Sequence, residues 1–331
     1  MNFESGTKRT TLHTTGRHGE HCSASRLELS EVFSYITLHC NLRCKHCYLG
    51  DHLVSGGHGD SNAGIQRRGR SLNRGARRLT ILGGEPTLHP EFGTILRAAS
   101  EMGFSRVVVD TNGVAGNPVP SDLMVSAVLA VRIGLDGANP VTHDSLRGAG
   151  AYNAALRTLH MLVERGVRVE VTFTIHAGNR NEIAEAVRML HLLGVSEVNF
   201  HFLSLLGAAR RQSQLWLTTG DILQAQEDLT SCQREFPSFI RFPRLLVPGG
   251  QLPQAVNEGH VCRLHTKDVE LHFPDGGVLH CPLQIGRLTP AKLHSHDLRR
   301  SGGCQYAGLL LPDLQQTDTE MTCISWKRVA S

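Results

Sequence analysis

The chain alternates short apolar, β-branched runs with longer segments from about residue 33 to residue 203. Because each segment is long enough for a helix, the runs are predicted to form parallel strands. The predicted strands are 33–38, 78–82, 106–110, 130–137, 167–175 and 197–203. Six such units fit an open, partial TIM-like (β/α)6 barrel better than a closed barrel of eight units, so the predicted fold class is α/β.

Polar or glycine-containing motifs lie at the carboxyl end of each of the six predicted strands. The motifs are 40–47, 83–86, 111–112, Asp136, His176 and 204–207. In a β/α barrel the reacting groups lie at the carboxyl ends of the strands. The sequence therefore predicts one functional site at this edge of the barrel.

Three cysteines stand at CxxxCxxC spacing after the first predicted strand: Cys40, Cys44 and Cys47. Three thiolates at this spacing can bind three irons of a four-iron cluster and leave one iron without a protein ligand. A structural metal site is normally closed by a fourth ligand, so an open position indicates chemistry. The alternative is a zinc site completed by His39 and His46, whereas a disulfide does not fit a reducing compartment.

The second predicted strand ends in Gly83, Gly84, Glu85 and Pro86. Two glycines at a strand end let a ligand approach the backbone, and the glutamate supplies a carboxylate for a cationic group. In this order and on these strands, the cysteine triplet and the GGEP turn resemble the radical S-adenosylmethionine (radical SAM) superfamily. The resemblance extends from about residue 35 to residue 207.

The resemblance implies a [4Fe–4S] cluster on the three cysteines and SAM on its open iron. It also implies SAM contacts for Gly83, Gly84, Glu85, Asn112, Arg147 and Asn179. In this family the GGE turn holds the SAM amino group, and the arginine of the 143–148 segment approaches the SAM carboxylate. Each asparagine is as readily explained as a helix cap or turn residue. Gly134 stands where the family often has serine.

The resemblance further implies a reaction type. An electron from the reduced cluster cleaves SAM to methionine and a 5′-deoxyadenosyl radical, which takes a hydrogen atom from the substrate. The protein orients the reactants and excludes water. An electron donor such as flavodoxin or ferredoxin is implied as a partner.

The C-terminal region is predicted to differ from the barrel. A hairpin carrying the PDG turn at 274–276 lies within 273–281, and four cysteines accompany it: Cys262, Cys281, Cys304 and Cys323. This pattern resembles the SPASM or shorter twitch extension, which binds auxiliary iron–sulfur clusters. The four cysteines could bind one such cluster. The alternatives are that only Cys262 and Cys281 bind it, or that the metal is zinc.

The predicted organisation has three parts: a disordered tail over 1–26, the barrel over 27–217 and the C-terminal region over 218–331. A net charge of +4 compels no nucleic-acid partner, and the arginine cluster at 67–78 is predicted to be a solvated basic face. Neither a signal peptide nor a membrane span is apparent, so a cytoplasmic protein without membrane contact is expected.

Two residues are candidates for catalysis beyond SAM cleavage. Glu31, before the first cysteine, is the candidate base, and Cys232 is a candidate hydrogen-atom donor of an epimerase, although a buried helical cysteine usually only packs.

The expected substrate is a small natural product, because the short polar N-terminus leaves no room for a peptide-recognition domain. The length and architecture resemble the cytosylglucuronate decarboxylases and the aminoglycoside epimerases, and Arg210 or Arg211 could bind a substrate carboxylate. The alternatives are a ribosomal-peptide maturase of the SPASM type and a non-catalytic metal-binding module.

Overall fold

A mostly parallel sheet organises the protein in the computed structural model, which describes residues 29–54, 57–116, 118–248, 268–287 and 319–321. Its six central strands are β1 (Glu31–Thr37), β2 (Arg78–Gly83), β3 (Arg106–Thr111), β4 (Leu129–Gly134), β5 (Arg168–Ile175) and β6 (Glu197–Phe202). The six strands are parallel and lie side by side in chain order. The predicted partial (β/α)6 TIM-like barrel is therefore confirmed.

Six α-helices accompany these strands in the described part of the chain. They are α1 (Ser61–Asn73), α2 (Phe92–Glu101), α3 (Pro140–Arg147), α4 (Ala151–Glu164), α5 (Ile183–Leu192) and α6 (Thr219–Glu235). Alternate strand residues such as Val107 and Val109 are fully buried in one hydrophobic core with helix residues such as Leu159 and Leu190. One face of the sheet is therefore covered by helices, as expected for parallel strands.

The face of the sheet turned away from the helices carries charged residues. Glu170 on β5 is fully buried, accepts a hydrogen bond from Arg132 Nη2 (2.8 Å) and pairs with Arg106. Burial alone would raise the pKa of Glu170, but Arg132 and Arg106 hold it below its usual value. This network fills the interior of the barrel with compensated charge.

Two connections differ from the sequence prediction. The segment 121–128, predicted as a helix, forms only a single 3₁₀ turn at Ser121–Leu123. Val125 in this segment is 89% exposed, so the segment has no complete apolar face to bury. Conversely, α3 was not predicted, although Asn139 caps it by accepting a hydrogen bond from Thr142 N and Pro140 begins it.

The C-terminal part of the chain joins both edges of the barrel sheet. Its described strands are β7 (Ile240–Arg241), β8 (Leu246–Pro248), β9 (Val269–His272), β10 (Val278–Leu279) and β11 (Thr319–Met321). Strand β7 is parallel to β6, and β9 is parallel to β1. The sheet therefore continues past residue 218, which the sequence did not indicate.

The predicted hairpin is present as β9 and β10, which are antiparallel. Its turn is stabilised by a hydrogen bond from Gly277 N to Asp275 Oδ1 (2.9 Å), and Gly276 adopts a φ of 92°, which favours glycine. A separate two-stranded sheet pairs β8 with β11. Among the described residues, no helix combines the length and hydropathy needed to span a membrane.

Candidate active site

The cysteine loop follows β1 and carries Cys40, Cys44 and Cys47, all half-buried. Its backbone is attached to two other segments of the barrel. Lys45 N donates to the Leu146 carbonyl (2.9 Å), and Ala208 N donates to the Cys47 carbonyl (2.9 Å). The loop is thus fixed to the end of α3 and to the segment after β6.

Gly83 and Gly84 allow the β2 turn to pack directly against this loop. A Cβ on Gly83 would collide with the Thr37 carbonyl oxygen, and a Cβ on Gly84 would collide with that of His39 and lie 3.0 Å from Cys40 Cβ. Gly84 N donates to the Thr37 carbonyl (2.8 Å). In this structure the glycines are therefore required by the close approach of the cysteine loop itself.

Glu85 is fully buried, and its carboxylate accepts four hydrogen bonds. The donors are Thr87 N, Thr87 Oγ1, Thr111 Oγ1 and Asn112 N, at 2.7 to 3.2 Å. Through these bonds the carboxylate joins the ends of β2 and β3. That it also serves a cationic group stays a prediction. The expected contact of the turn with SAM stays a prediction.

Asn112 extends the same network to the cysteine loop. Its Nδ2 donates to Asn41 Oδ1 (2.8 Å), and its Oδ1 accepts from Val114 N (2.8 Å). The sequence placed Asn112 at the site but gave no role to Asn41. The partner was not evident because the two residues are 71 positions apart.

A buried ion pair lies on the other side of the loop. Asp136, which follows β4 and is fully buried, accepts hydrogen bonds from Arg147 Nε (2.6 Å) and Thr174 N (2.7 Å). Burial alone would raise the pKa of Asp136, but the Arg147 guanidinium and the neighbouring histidines hold it well below its usual range. Arg147 covers Gly134, whose Cβ would lie 2.7 Å from Arg147 Cζ. A serine at that position would therefore displace the arginine.

Three histidines surround Asp136: His46, His143 and His176. Each has a buried ring nitrogen without a hydrogen-bond partner among the described residues, namely His46 Nδ1, His143 Nε2 and His176 Nε2. His46 Nε2 lies 3.4 Å from Asp136 Oδ2, and burial lowers the pKa of His46 to about 4, so its ring is neutral at pH 7. Unpartnered buried nitrogens fit a site that takes a polar ligand.

The donor set of the loop fits a cluster better than a single ion. In the described parts of the chain, no three His, Cys, Asp or Glu side chains converge as ligands of one metal ion do. The ligands of a tetrahedral zinc lie about 2.3 Å from one point, whereas cluster cysteines each bind a different iron. Burial raises the pKa of Cys44 to about 12 and also raises that of Cys40. Iron would supply the positive charge that stabilises these thiolates.

The predicted catalytic residues lie elsewhere. Glu31 is at the amino end of β1 and is therefore separated from the cysteines by the length of the strand. Its Oε1 lies 4.0 Å from Arg78 Nε. Cys232 is buried in the hydrophobic core on α6. The structure therefore brings neither residue to the cysteine loop, and packing accounts for Cys232.

Asn179 is nearly fully buried and also has a structural role. Its Nδ2 donates to the carbonyls of Asp136 (3.0 Å) and Thr174 (2.8 Å), and its Oδ1 accepts from His176 N (2.8 Å). Both amide hydrogens are used within the protein, and the expected SAM contact of Asn179 stays a prediction. Of the C-terminal cysteines, Cys281 is buried in the main core, while Cys262, Cys304 and Cys323 lie outside the described residues, as does the 1–26 segment.

One candidate residue was missed. Asp110 lies near the carboxyl end of β3 on the face turned away from the helices, with its Oδ2 3.9 Å from Arg132 Nη1. Burial raises the pKa of Asp110 to about 6. Burial also raises the pKa of Tyr35, and the charges of Asp110 and Cys47 raise it further. Tyr35, Asp110 and Cys47 are therefore neighbours. The alternation of Val107 and Val109 with Asp110 indicated this orientation.

Residues 34–193 match the family model of the radical SAM superfamily. The chain carries a radical SAM domain. Enzymes of this superfamily use a [4Fe–4S] cluster and SAM, in agreement with the cofactors expected from the sequence.

Three curated relatives illustrate the similarity. Fe-coproporphyrin III synthase of Methanosarcina barkeri is 30% identical over 51% of this chain and 42% of its own length. The subtilosin biosynthesis protein AlbA of Bacillus subtilis is 28% identical over 53% of this chain and 40% of its own length. The mycofactocin maturase MftC of Mycobacterium ulcerans is 33% identical over 43% of this chain and 39% of its own length. The chain thus spans about two fifths of the length of these relatives.

Solved radical SAM structures share the fold. Streptococcus suis SuiB bound to S-adenosylmethionine superposes with a TM-score of 0.64 at 14% identity, covering 86% of this chain and 66% of SuiB. The protein anSMEcpe with bound AdoMet superposes with a TM-score of 0.58 at 16% identity, covering 77% of this chain and 72% of anSMEcpe. At such identities the comparison shows the fold alone.

Gly84→Ala is predicted to disrupt the cysteine loop, because the new methyl group collides with His39. We expect reconstituted protein to lose most of its iron and about 1–3 kcal/mol of stability, measured by iron analysis and urea unfolding. The control is Gly69→Ala on α1, where a Cβ meets nothing within 4 Å; it should retain iron and gain about 0.5–1 kcal/mol. Equal iron content in the two variants would contradict the packing argument.

Asp136→Asn is predicted to cost about 3 kcal/mol at pH 7, because Arg147 is left buried without its counter-charge. The pair stabilises the fold only while Asp136 is ionised, so its contribution is present above about pH 4 and is lost as the pH falls. Urea unfolding between pH 3 and pH 7 measures both effects. Asp122→Asn, which breaks the exposed pair with Arg97, is the control and should change little.

Proposed function

We propose that this chain is a radical SAM enzyme that cleaves SAM reductively at a cluster held by Cys40, Cys44 and Cys47. The observation that supports the proposal is the position of these three thiols in one half-buried loop after β1, which packs directly against the Gly83–Gly84 turn. The Asp136–Arg147 pair stands beside the loop, and a flavodoxin or ferredoxin is the proposed electron donor.

Cys40, Cys44 and Cys47 would hold the cluster, which when reduced would supply the electron for cleavage of SAM to methionine and a 5′-deoxyadenosyl radical that would take a hydrogen atom from the substrate. Arg147 has a direct part in binding. Its hydrogen bond to Asp136 uses Nε, so its terminal nitrogens can donate to the SAM carboxylate in a charge-assisted contact. Asp136 holds the guanidinium in place, and the histidines around it offer nitrogens to the polar ligand.

The first candidate substrate class is a small natural product bearing a sugar or nucleoside acid, which would undergo decarboxylation or epimerisation. Asp110 is the proposed proton-transfer group in place of Glu31, because it lies near the strand ends and its pKa of about 6 suits exchange near neutral pH. Arg211 is paired with Asp51 (2.8 Å), so the exposed Arg210 is the better candidate for a substrate carboxylate.

A second candidate function is peptide maturation. It is favoured by the names of relatives, since AlbA serves the biosynthesis of a bacteriocin, MftC is a maturase and SuiB has been solved bound to the precursor peptide SuiA. The two classes are thus distinguished by which substrate consumes SAM productively.

The SAM-cleavage step is tested on anaerobically reconstituted protein. With dithionite and SAM, the wild type should release 5′-deoxyadenosine, detected by mass spectrometry, because the chain leaves one iron open to SAM. Cys44→Ala should release none, because it removes one of three ligands. A fully loaded wild-type cluster that yields no deoxyadenosine would contradict the proposed function.

Asp110→Asn tests the substrate-level step on whichever sugar or nucleoside acid the wild type converts. Because the ionised carboxylate accepts the proton, product formation by the wild type should rise as the pH increases through about 6. The variant should lose this pH dependence and about 10²-fold in rate, yet still cleave SAM. Glu31→Gln, at the opposite end of β1, is the control; a larger loss in it than in Asp110→Asn would restore Glu31 as the base.

A further inference from the structure

Arg68 is a buried cation outside the candidate active site. The sequence predicted a solvated basic face over 67–78, yet Arg68 is only 1% exposed between α1 and β1. Its Nη1 donates to Ser34 Oγ on β1 (3.0 Å). Its Nε and Nη2 are buried and have no hydrogen-bond partner among the residues that the structure describes. The prediction is therefore wrong for this residue.

The side chain of Arg68 turns back toward the start of α1, as helical side chains do. A Cβ on Gly64, one turn earlier, would lie 3.1 Å from Arg68 Nη1. The glycine thus leaves the space that the guanidinium occupies. Burial, followed by repulsion from Arg67, lowers the pKa of Arg68 to about 10, so the group is still charged at pH 7. A buried charge is normally paired, and here the pairing group is not one of the described side chains.

A small pocket opens beside the guanidinium. Arg67, Arg68, Ser61 and Ser34 contribute to its wall, together with Pro274 of the hairpin β9–β10. The two arginines and the Ser34 hydroxyl are donors suited to an oxyanion, whereas Ser61 Oγ already donates to Glu91 Oε2 (2.8 Å). Asp60 also lines the pocket, but its Oδ1 is engaged as the cap of α1 and accepts from Ala63 N (2.6 Å).

The adjoining strand has a second unpartnered group on the same face. His272 on β9 is paired in register with Ser34 on β1, so the two side chains point to the same side of the sheet. His272 Nε2 is bonded to Glu270 (2.9 Å), while its buried Nδ1 has no partner among the described residues. The polar layer beneath α1 therefore has unused hydrogen-bonding capacity at two places.

We propose that Arg68 and Arg67 form a binding site for a small oxyanion, a phosphate or a carboxylate group, between α1, β1 and the β9–β10 hairpin. The site lies on the helix-covered face of β1, whereas the charged residues Asp110 and Arg132 lie on the opposite face of the sheet.

The proposal is tested by equilibrium dialysis of the reconstituted, full-length protein against radiolabelled inorganic phosphate at constant ionic strength. The wild type should bind one phosphate per chain at this site. Arg68→Met should bind it at least about tenfold more weakly, because charged hydrogen bonds are lost, and Arg67→Met should also weaken it. Arg70→Met removes an exposed arginine of the same helix and should bind as the wild type does.

Iron content serves as the measure of folding for every variant. If Arg68→Met fails to fold, the phosphate affinities of Arg67→Met and Arg70→Met are compared instead, and only Arg67→Met should bind more weakly than the wild type. Competition by acetate or by sulfate then distinguishes a site that takes carboxylates from one that takes tetrahedral anions. Absence of phosphate binding in the wild type, or binding that neither Arg68→Met nor Arg67→Met weakens, would overturn the proposal.

Discussion

The close packing of the cysteine loop against the β2 turn is the contact on which the rest of the site depends. The two glycines of the turn bring no side chain into this contact, and the backbone of the turn bonds directly to the carbonyls of Thr37 and His39. Glu85 accepts four hydrogen bonds, two of which come from Thr111 and Asn112 at the end of β3. Asn112 in turn donates a hydrogen bond to Asn41 of the cysteine loop. The loop position is thus set by the sheet, which is the rigid part of the protein.

The opposite side of the loop is organised by charge. Asp136 and Arg147 are buried together, and a buried pair is sensitive to the loss of either partner. The pair joins the ends of β4, β5 and α3 beside Cys44. The buried charges therefore lie where a charged ligand would bind. Acceptance of a proton from the substrate is proposed for Asp110 on the inner face of the barrel. Asp110 lies near the same edge of the sheet but is paired more loosely, with its Oδ2 3.9 Å from Arg132 Nη1.

The sequence was sufficient for the strand order, the position of the site and the β9–β10 hairpin, because all three follow from periodicity and turn residues within a short segment. It was insufficient for hydrogen-bond partners far apart in the chain. The structural partners of Asn179 were one example, because its amide hydrogens bond to the backbone carbonyls of Asp136 and Thr174. Glu31 was favoured for its nearness to the cysteines in sequence, but an extended strand carries it to the other end of the barrel. Arg68 lies within an arginine-rich run, and only the packing of α1 on β1 shows that it is buried.

The central claim is that three cysteines, held in this way, leave one iron open to SAM. Electron paramagnetic resonance of the reduced, reconstituted protein measures this directly, with and without SAM. The account predicts a [4Fe–4S] signal whose shape changes when SAM is added, and a weaker response to SAM in Arg147→Met at equal cluster content. A cluster signal that saturating SAM leaves unchanged would contradict the open iron and the role given to the cysteine loop.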